Sequence, residues 1–173
     1  LSGFLITSLL LNEARRTGNV ALRSFWTRRF RRLLPAALVT LAAVMALFGP
    51  FVATADQRAT MRGNVLAALF DVANWYDIVR GSSYADLFTA PSPVLHFWSL
   101  SIEEQFYLLF PVVLLGLWIA CRGHRRRLAG ALALLAVASF AEPFVFDMSV
   151  DRIYFGTDTR AVELLLGSLL ALL

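Results

Sequence analysis

The chain has 173 residues, of which 58% are hydrophobic and 16% charged, with a net charge of +4. Soluble domains run at about 45–50% apolar and about 25% charged, so a water-soluble globular class is excluded. All sixteen basic residues are arginine and they cluster between apolar runs, so the positive balance points to a membrane and not to nucleic acid. The predicted fold class is all-α, a polytopic bundle of transmembrane helices. Cys121 is the single cysteine, which rules out an internal disulfide or a cysteine metal site, and no metal is expected. Its place beside a basic stretch would suit palmitoylation.

The first apolar run, Leu1–Leu11, is about half a span. The chain begins and ends inside such runs, which predicts a piece of a larger membrane domain. Residues 12–33 form a predicted loop carrying seven arginines (Arg15, Arg16, Arg23, Arg28, Arg29, Arg31 and Arg32) against Glu13. Within it, Ser24–Pro35 has two readings. It can be an interfacial helix, with arginines at lipid headgroups and Phe25, Trp26 and Phe30 at the same level. Alternatively, Arg29 and Arg32, three apart on one helical face, can clamp a phosphate-bearing ligand. Leu34–Ala55 is the next span, with Pro35 expected in its first turn, where a missing N–H is harmless.

Residues 61–78 are interrupted by Asp71, Asn74 and Asp77. They are expected to form an amphipathic or re-entrant helix with Val65, Leu66, Leu69, Phe70 and Ala73 as its apolar stripe. Residues 56–93 hold Asp56, Asp71, Asp77 and Asp86 against three arginines. Val94–Ala120 is a full span containing Pro111. It is followed by a second basic loop at 121–127 with four arginines and His124. Leu128–Phe146 is a span, 147–160 is acidic, and Ala161–Leu173 is a partial span. The positive-inside rule places both basic loops in the cytoplasm, so Leu34–Ala55 runs outward and Val94–Ala120 returns.

The densest polar cluster opens the span at 94–120: His96-Phe97-Trp98-Ser99-Leu100-Ser101-Ile102-Glu103-Glu104-Gln105-Phe106-Tyr107. A carboxylate at membrane depth costs about 3 kcal/mol and should face protein or a polar cavity, where by default it marks a working site. On a helix, Ser99, Glu103 and Tyr107 share a face, so Glu103 can meet a substrate hydroxyl or a histidine. The plainer reading makes Ser99 an N-cap and the two glutamates partners of the helix dipole. His96, at the edge, is either a structural hydrogen-bonder or a catalyst. On this reading Glu103 lies nearer the outer face than the arginines. A second cluster, Tyr154 to Glu163, lets Asp158 cap the following helix and Arg160 pair with Asp158 or Glu163; it can also line an outer cavity. No nucleotide loop, zinc motif or nucleophile elbow occurs.

Four pieces in order resemble the membrane-bound acyltransferase family 3, the O-antigen and peptidoglycan O-acetylase type. They are Leu1-Ser2-Gly3-Phe4-Leu5-Ile6-Thr7, the stretch from Phe25 to Pro35 with Arg28, Arg29, Arg31 and Arg32, the cluster from His96 to Tyr107, and Asp158-Thr159-Arg160. The resemblance implies a bacterial inner-membrane protein of about ten spans. It implies transfer of an acyl group, usually acetyl, from cytoplasmic acyl-CoA to hydroxyls of an extracytoplasmic glycan. Acyl-CoA is then a donor substrate and no cofactor is tightly bound.

The arginine motif maps onto Arg29 and Arg32, with Arg28 beside them, as acyl-CoA-binding residues. The glutamate of the Trp-Ser-Leu-Ser motif maps onto Glu103, with His96 and Ser99 as further catalytic candidates. Tyr107, Gln105, Asp158 and Arg160 are expected to line the substrate cavity. The implied partners are acyl-CoA, a glycan acceptor and membrane lipids, and some members carry a C-terminal esterase-like domain. The family's catalytic arginine and histidine would lie on a span before Leu1, so residues 1–173 alone are expected to be inactive. Two other classes also fit the residues. A transporter or flippase of a glycan or lipid-linked substrate would use the buried carboxylates as a pathway. A structural membrane subunit would use them only for packing.

Overall fold

The computed structural model describes residues 1–17, 20–81 and 92–172; Asp86 and Leu173, both used above, lie outside the described residues. Among the described residues every regular element is a helix, as the all-α reading expects. In chain order they are α1 (Ser2–Thr17), α2 (Leu22–Phe51), α3 (Ala55–Leu69), α4 (Ala73–Arg80), α5 (Phe97–Ala120), α6 (Arg125–Val145), α7 (Val150–Phe155) and α8 (Thr157–Leu170). Of these, α2, α5 and α6 are long and apolar enough to cross a membrane.

Four local expectations are corrected. Residues 12–33 are not mainly loop: α1 runs through Arg15 and Arg16, and α2 starts at Leu22. The arginine-rich stretch is therefore the first part of α2, a helix about 45 Å long at about 1.5 Å per residue. That exceeds the roughly 30 Å of hydrocarbon, so a charged end and an apolar body fit in one rod. Pro35 consequently sits inside the helix and not in its first turn. Its missing N–H takes the Arg31 carbonyl out of the i→i−4 ladder. Near the far end, a π turn at Val44–Phe48 precedes Gly49-Pro50, where Pro50 again has no N–H to offer.

The third correction concerns 61–78, which is two helices, α3 and α4, broken at 70–72. The buried face is Met61, Ala67, Ala68 and Ala73, whereas Leu66 and Phe70 of the expected stripe are exposed. In lipid, apolar bulk gains nothing by leaving the surface, and small residues at a helix interface let backbones approach. The fourth is Ser99, which is not an N-cap. It is the third residue of α5, and its hydroxyl donates to the His96 carbonyl at 3.0 Å.

The chain folds as two compact units. The first contains Leu1–Phe25, Gln105–Ser149 and Thr157–Leu173. In it α8 packs on both α1 and α6. The α1–α8 contact includes Gly3, Gly167 and Ser168. A Cβ on Gly3 would collide with the Leu164 carbonyl, and the Ser168 hydroxyl donates to the Gly3 carbonyl at 3.3 Å and the Leu164 carbonyl at 3.0 Å. This is the close, small-residue packing that lipid-embedded helices need. Between α6 and α8 the Ser139 hydroxyl donates to the Asp158 carbonyl and accepts from the Val162 N–H at 3.0 Å. Those two backbone groups are i, i−4 partners in the first turns of α8, so one hydroxyl ties α6 to that end of the helix.

The second unit contains Trp26–Glu104 and Val150–Gly156. Leu41, Ala68 and Val94 form a buried cluster with Phe97 packed against it. A capping box of Thr54 and Gln57 starts α3. The fully buried Ser101 accepts the Ala73 N–H at 3.3 Å, satisfying one unpaired donor at the start of α4, and donates to the Phe97 carbonyl at 2.8 Å. Asn74, also fully buried, donates to the Phe155 carbonyl at 2.9 Å. Rings close the same region: Trp98 lies 4.7 Å from Tyr154 and 5.4 Å from Phe155, centroid to centroid.

Candidate functional site

The break between α3 and α4 is a Schellman turn. The Val72 N–H reaches the Ala67 carbonyl at 2.8 Å, and the Asp71 N–H reaches the Ala68 carbonyl at 3.3 Å. Asp71 takes the left-handed position with φ +53°, a place glycine fills in most helices. Aspartate is among the few non-glycine residues that enter this region readily. Ser101 and Asn74 anchor the turn from the α4 side. Burial pushes the Asp71 carboxyl above its ordinary value.

Asp71 lines a cavity of about 280 Å³ together with Glu104 of α5 and with Leu33, Leu34, Ala37 and Leu38 of α2. Phe97 and Leu100 complete the α5 side. The cavity is mainly apolar, with its carboxylates as the ionisable groups of the wall. Glu104 is only 9% exposed, and its Oε1 lies 3.8 Å from Nη2 of Arg29, itself 26% exposed. Buried charges persist when they are paired, and this pair lies where α2 and the opening turns of α5 meet. The charge of Asp71 also acts on Glu104.

This meeting corrects the expected levels of the two motifs. The arginine stretch and the glutamate pair are not on opposite faces, since the fold brings them within ion-pair distance. It also picks out a residue that the sequence reading passed over. The motif match favoured Glu103, whereas its neighbour Glu104 is the one buried against Arg29. Glu103 is half-exposed on the adjoining face. Helical periodicity could have separated the two had the buried face been known. Ser101, Glu104 and Pro111, three or seven apart, all point inward.

The remaining expected site residues are dispersed. Arg28 and Arg32 are exposed on α2, and His96 and Ser99 are exposed at the start of α5. The Gln105 Oε1 accepts from the Thr157 hydroxyl at 2.5 Å, and Tyr107 is buried. Asp158 spends one carboxylate oxygen on the Thr159 N–H at 2.9 Å, an early donor of α8. Arg160 pairs with Glu163 at 2.5 Å, one of its two expected partners. Gln105, Tyr107, Asp158 and Arg160 belong to the first unit and do not line the 280 Å³ cavity. Asp77 of α4 has its carboxyl pushed up to about 6 by burial, opposed in part by Arg80. Among the described residues no group of three histidines, cysteines or carboxylates is placed to hold a metal.

Comparison with known proteins fixes the family. The profile described as an acyltransferase domain matches residues 1–172. The chain is 39% identical to the peptidoglycan O-acetyltransferase OatA of Listeria monocytogenes, over 99% of the chain and 28% of that protein. It is 42% identical to YrhL of Bacillus subtilis, a candidate peptidoglycan O-acetyltransferase, over 99% of the chain and 27% of that protein. A candidate O-acetyltransferase of Staphylococcus aureus strain COL is 40% identical over 100% of the chain and 28% of its own length. The chain thus spans little more than a quarter of the length of these relatives. No solved structure matches it. Three apolar helices, an arginine-bearing helix end paired to a buried glutamate, and this match over the whole chain agree: the chain belongs to the membrane-bound acyltransferase family 3.

Proposed function

We propose that the protein transfers an acyl group, in the first place acetyl, from acyl-CoA to a hydroxyl of an extracytoplasmic glycan of a bacterial cell wall. The observation that carries this reading is Glu104 in the wall of an apolar cavity with Arg29 at ion-pair distance, in a chain of an acyltransferase family. An acyl-transfer site needs a dry space for the thioester and fixed charge close to it, because charge acts more strongly where water is excluded. In the reaction the glycan hydroxyl oxygen bonds to the thioester carbonyl carbon, the carbon–sulfur bond breaks, and the hydroxyl proton passes to a base while CoA leaves as thiol. Arg29 supplies positive charge at the cavity edge, and Glu104 holds that guanidinium in place. Arg28 and Arg32, exposed on the same helix, face the donor's phosphates. The names of the relatives support peptidoglycan as the acceptor.

The test is transfer of labelled acetyl from acetyl-CoA to cell-wall glycan by the full-length protein in proteoliposomes, with CoA thiol release measured in parallel. Label transfer with stoichiometric thiol release is expected, and Glu104→Gln and Arg29→Gln should each abolish both. Movement of glycan or lipid without thiol release would replace this reading with a transporter.

A further inference from the structure

The cavity of the second unit is larger than the transferred group and is polarised in one direction. Its 280 Å³ equals about nine water volumes at about 30 Å³ each, so an acetyl group would fill only a small part of it. Its wall is mainly apolar, with Leu33, Leu34, Leu38, Phe97 and Leu100 as bulky members. Against this surface stands Glu104, nine-tenths buried, whose Oε1 accepts no hydrogen bond from any described residue. Arg29 lies 3.8 Å from that oxygen, which is ion-pair distance but beyond hydrogen-bond reach. A buried acceptor left unmatched is costly, so its persistence points to a donor that arrives with a ligand.

Charge and polarity narrow the ligand. The ionisable groups of the wall are the carboxyls of Asp71 and Glu104, so the wall offers a phosphate no positive charge. A sugar would bring hydroxyls to a leucine- and phenylalanine-lined surface and leave most of them unpaired. A lipid tail would bring no donor to Glu104. What fits is an apolar chain carrying an occasional neutral N–H. We infer that the cavity seats the pantetheine arm of the thioester donor, with an arm amide N–H donating to Glu104 Oε1, while the nucleotide phosphates remain outside on the exposed Arg28 and Arg32. This rests on the acyl-CoA reading above. It assigns Ala37 and Leu34 as residues that set the fit of the arm.

The experiment uses the full-length protein in nanodiscs with three probes: acetyl-CoA, S-acetylpantetheine and 3′,5′-ADP. Ala37→Phe fills the cavity. It should raise KM for both thioesters about tenfold or more, in line with the sensitivity of apolar pockets to added bulk. Inhibition by 3′,5′-ADP should stay unchanged, which also reports that the variant is folded. Leu34→Trp, at an exposed cavity residue, repeats the test should Ala37→Phe not accumulate. Should neither accumulate, a diazirine-bearing acetylpantetheine is photo-crosslinked to the wild-type protein. Label in peptides 30–40 or 97–104 supports the assignment, and label elsewhere overturns it. Unchanged thioester KM in a folded variant, or a matching loss of 3′,5′-ADP inhibition, also overturns it while leaving the acyl-CoA reading intact. Wild-type protein with no thioester-dependent transfer brings down both.

Discussion

Removing Arg29 should cost more than any single exposed charge on α2. At 3.8 Å and an effective dielectric of about 20, the Arg29–Glu104 attraction is about 4 kcal/mol. That figure overstates the net worth, because both groups gave up hydration to meet. The larger effect is on what remains. In Arg29→Ala the Glu104 carboxylate stays 9% exposed with no cation at that distance, and breaking a buried pair from one side costs about 3–5 kcal/mol. The partial exposure of Arg29, 26%, argues for the lower end, about 3 kcal/mol. Glu104→Ala should cost less, since its stranded partner is the more solvated one. The double variant should recover about 2 kcal/mol of the summed loss, as coupled neighbours do. The assay is a double-mutant cycle on the full-length protein, with SDS-driven unfolding from mild detergent followed by tryptophan fluorescence. A coupling below about 0.5 kcal/mol, the range of independent sites, would show that the two groups do not interact and that the site has been drawn in the wrong place.

Asp71→Gly should stabilise the Schellman turn by about 1 kcal/mol, because glycine enters the left-handed region without the Cβ clash, while acyl transfer falls through loss of the carboxylate. Lower stability in a chemical-unfolding experiment would mean that the side chain, and not the backbone, governs that turn. Gly3→Ala should loosen α1 from α8 by about 1–3 kcal/mol, because its Cβ meets the Leu164 backbone, which cannot swing aside; a thermal midpoint equal to wild type would refute the close packing. Asp77 binds its proton more tightly in the folded state, with its carboxyl raised from 3.8 to about 6. The native state therefore holds extra proton between those values, and Asp77 lowers stability as pH rises through that window, with the full cost present above it. Asp77→Asn should raise stability at pH 7 and flatten the pH 4–6 slope, and an unaltered slope would discount the burial of this group.

The elements that could be read from the chain are those where composition alone decides. Lipid imposes apolar runs of fixed length and expels isolated charge, so α5 and α6 stand out in the sequence within a few residues of their ends. The Thr54–Gln57 capping box is equally local. Pro35 and the α3–α4 stripe were misread because local rules assume a water-facing surface. Inside lipid a proline is tolerated mid-helix, and alanine faces carry the contacts. Glu103 and Glu104 differ by one step of 100° around a helix, and no property of either residue says which face meets α2. Motif matching points to Glu103, and burial against α2 singles out its neighbour Glu104.

Amino-acid order by itself determined that the chain is helical and that it belongs in a membrane, because insertion energies act on each segment alone. Only the tertiary structure decided that Arg29 faces Glu104, that Asp71 closes on the same cavity, and that Asp158 and Arg160 are engaged elsewhere. Those pairings depend on the rotation and depth of one helix against another. Close packing of small residues and the need to match each buried charge set both, and these terms exist only once the helices are together.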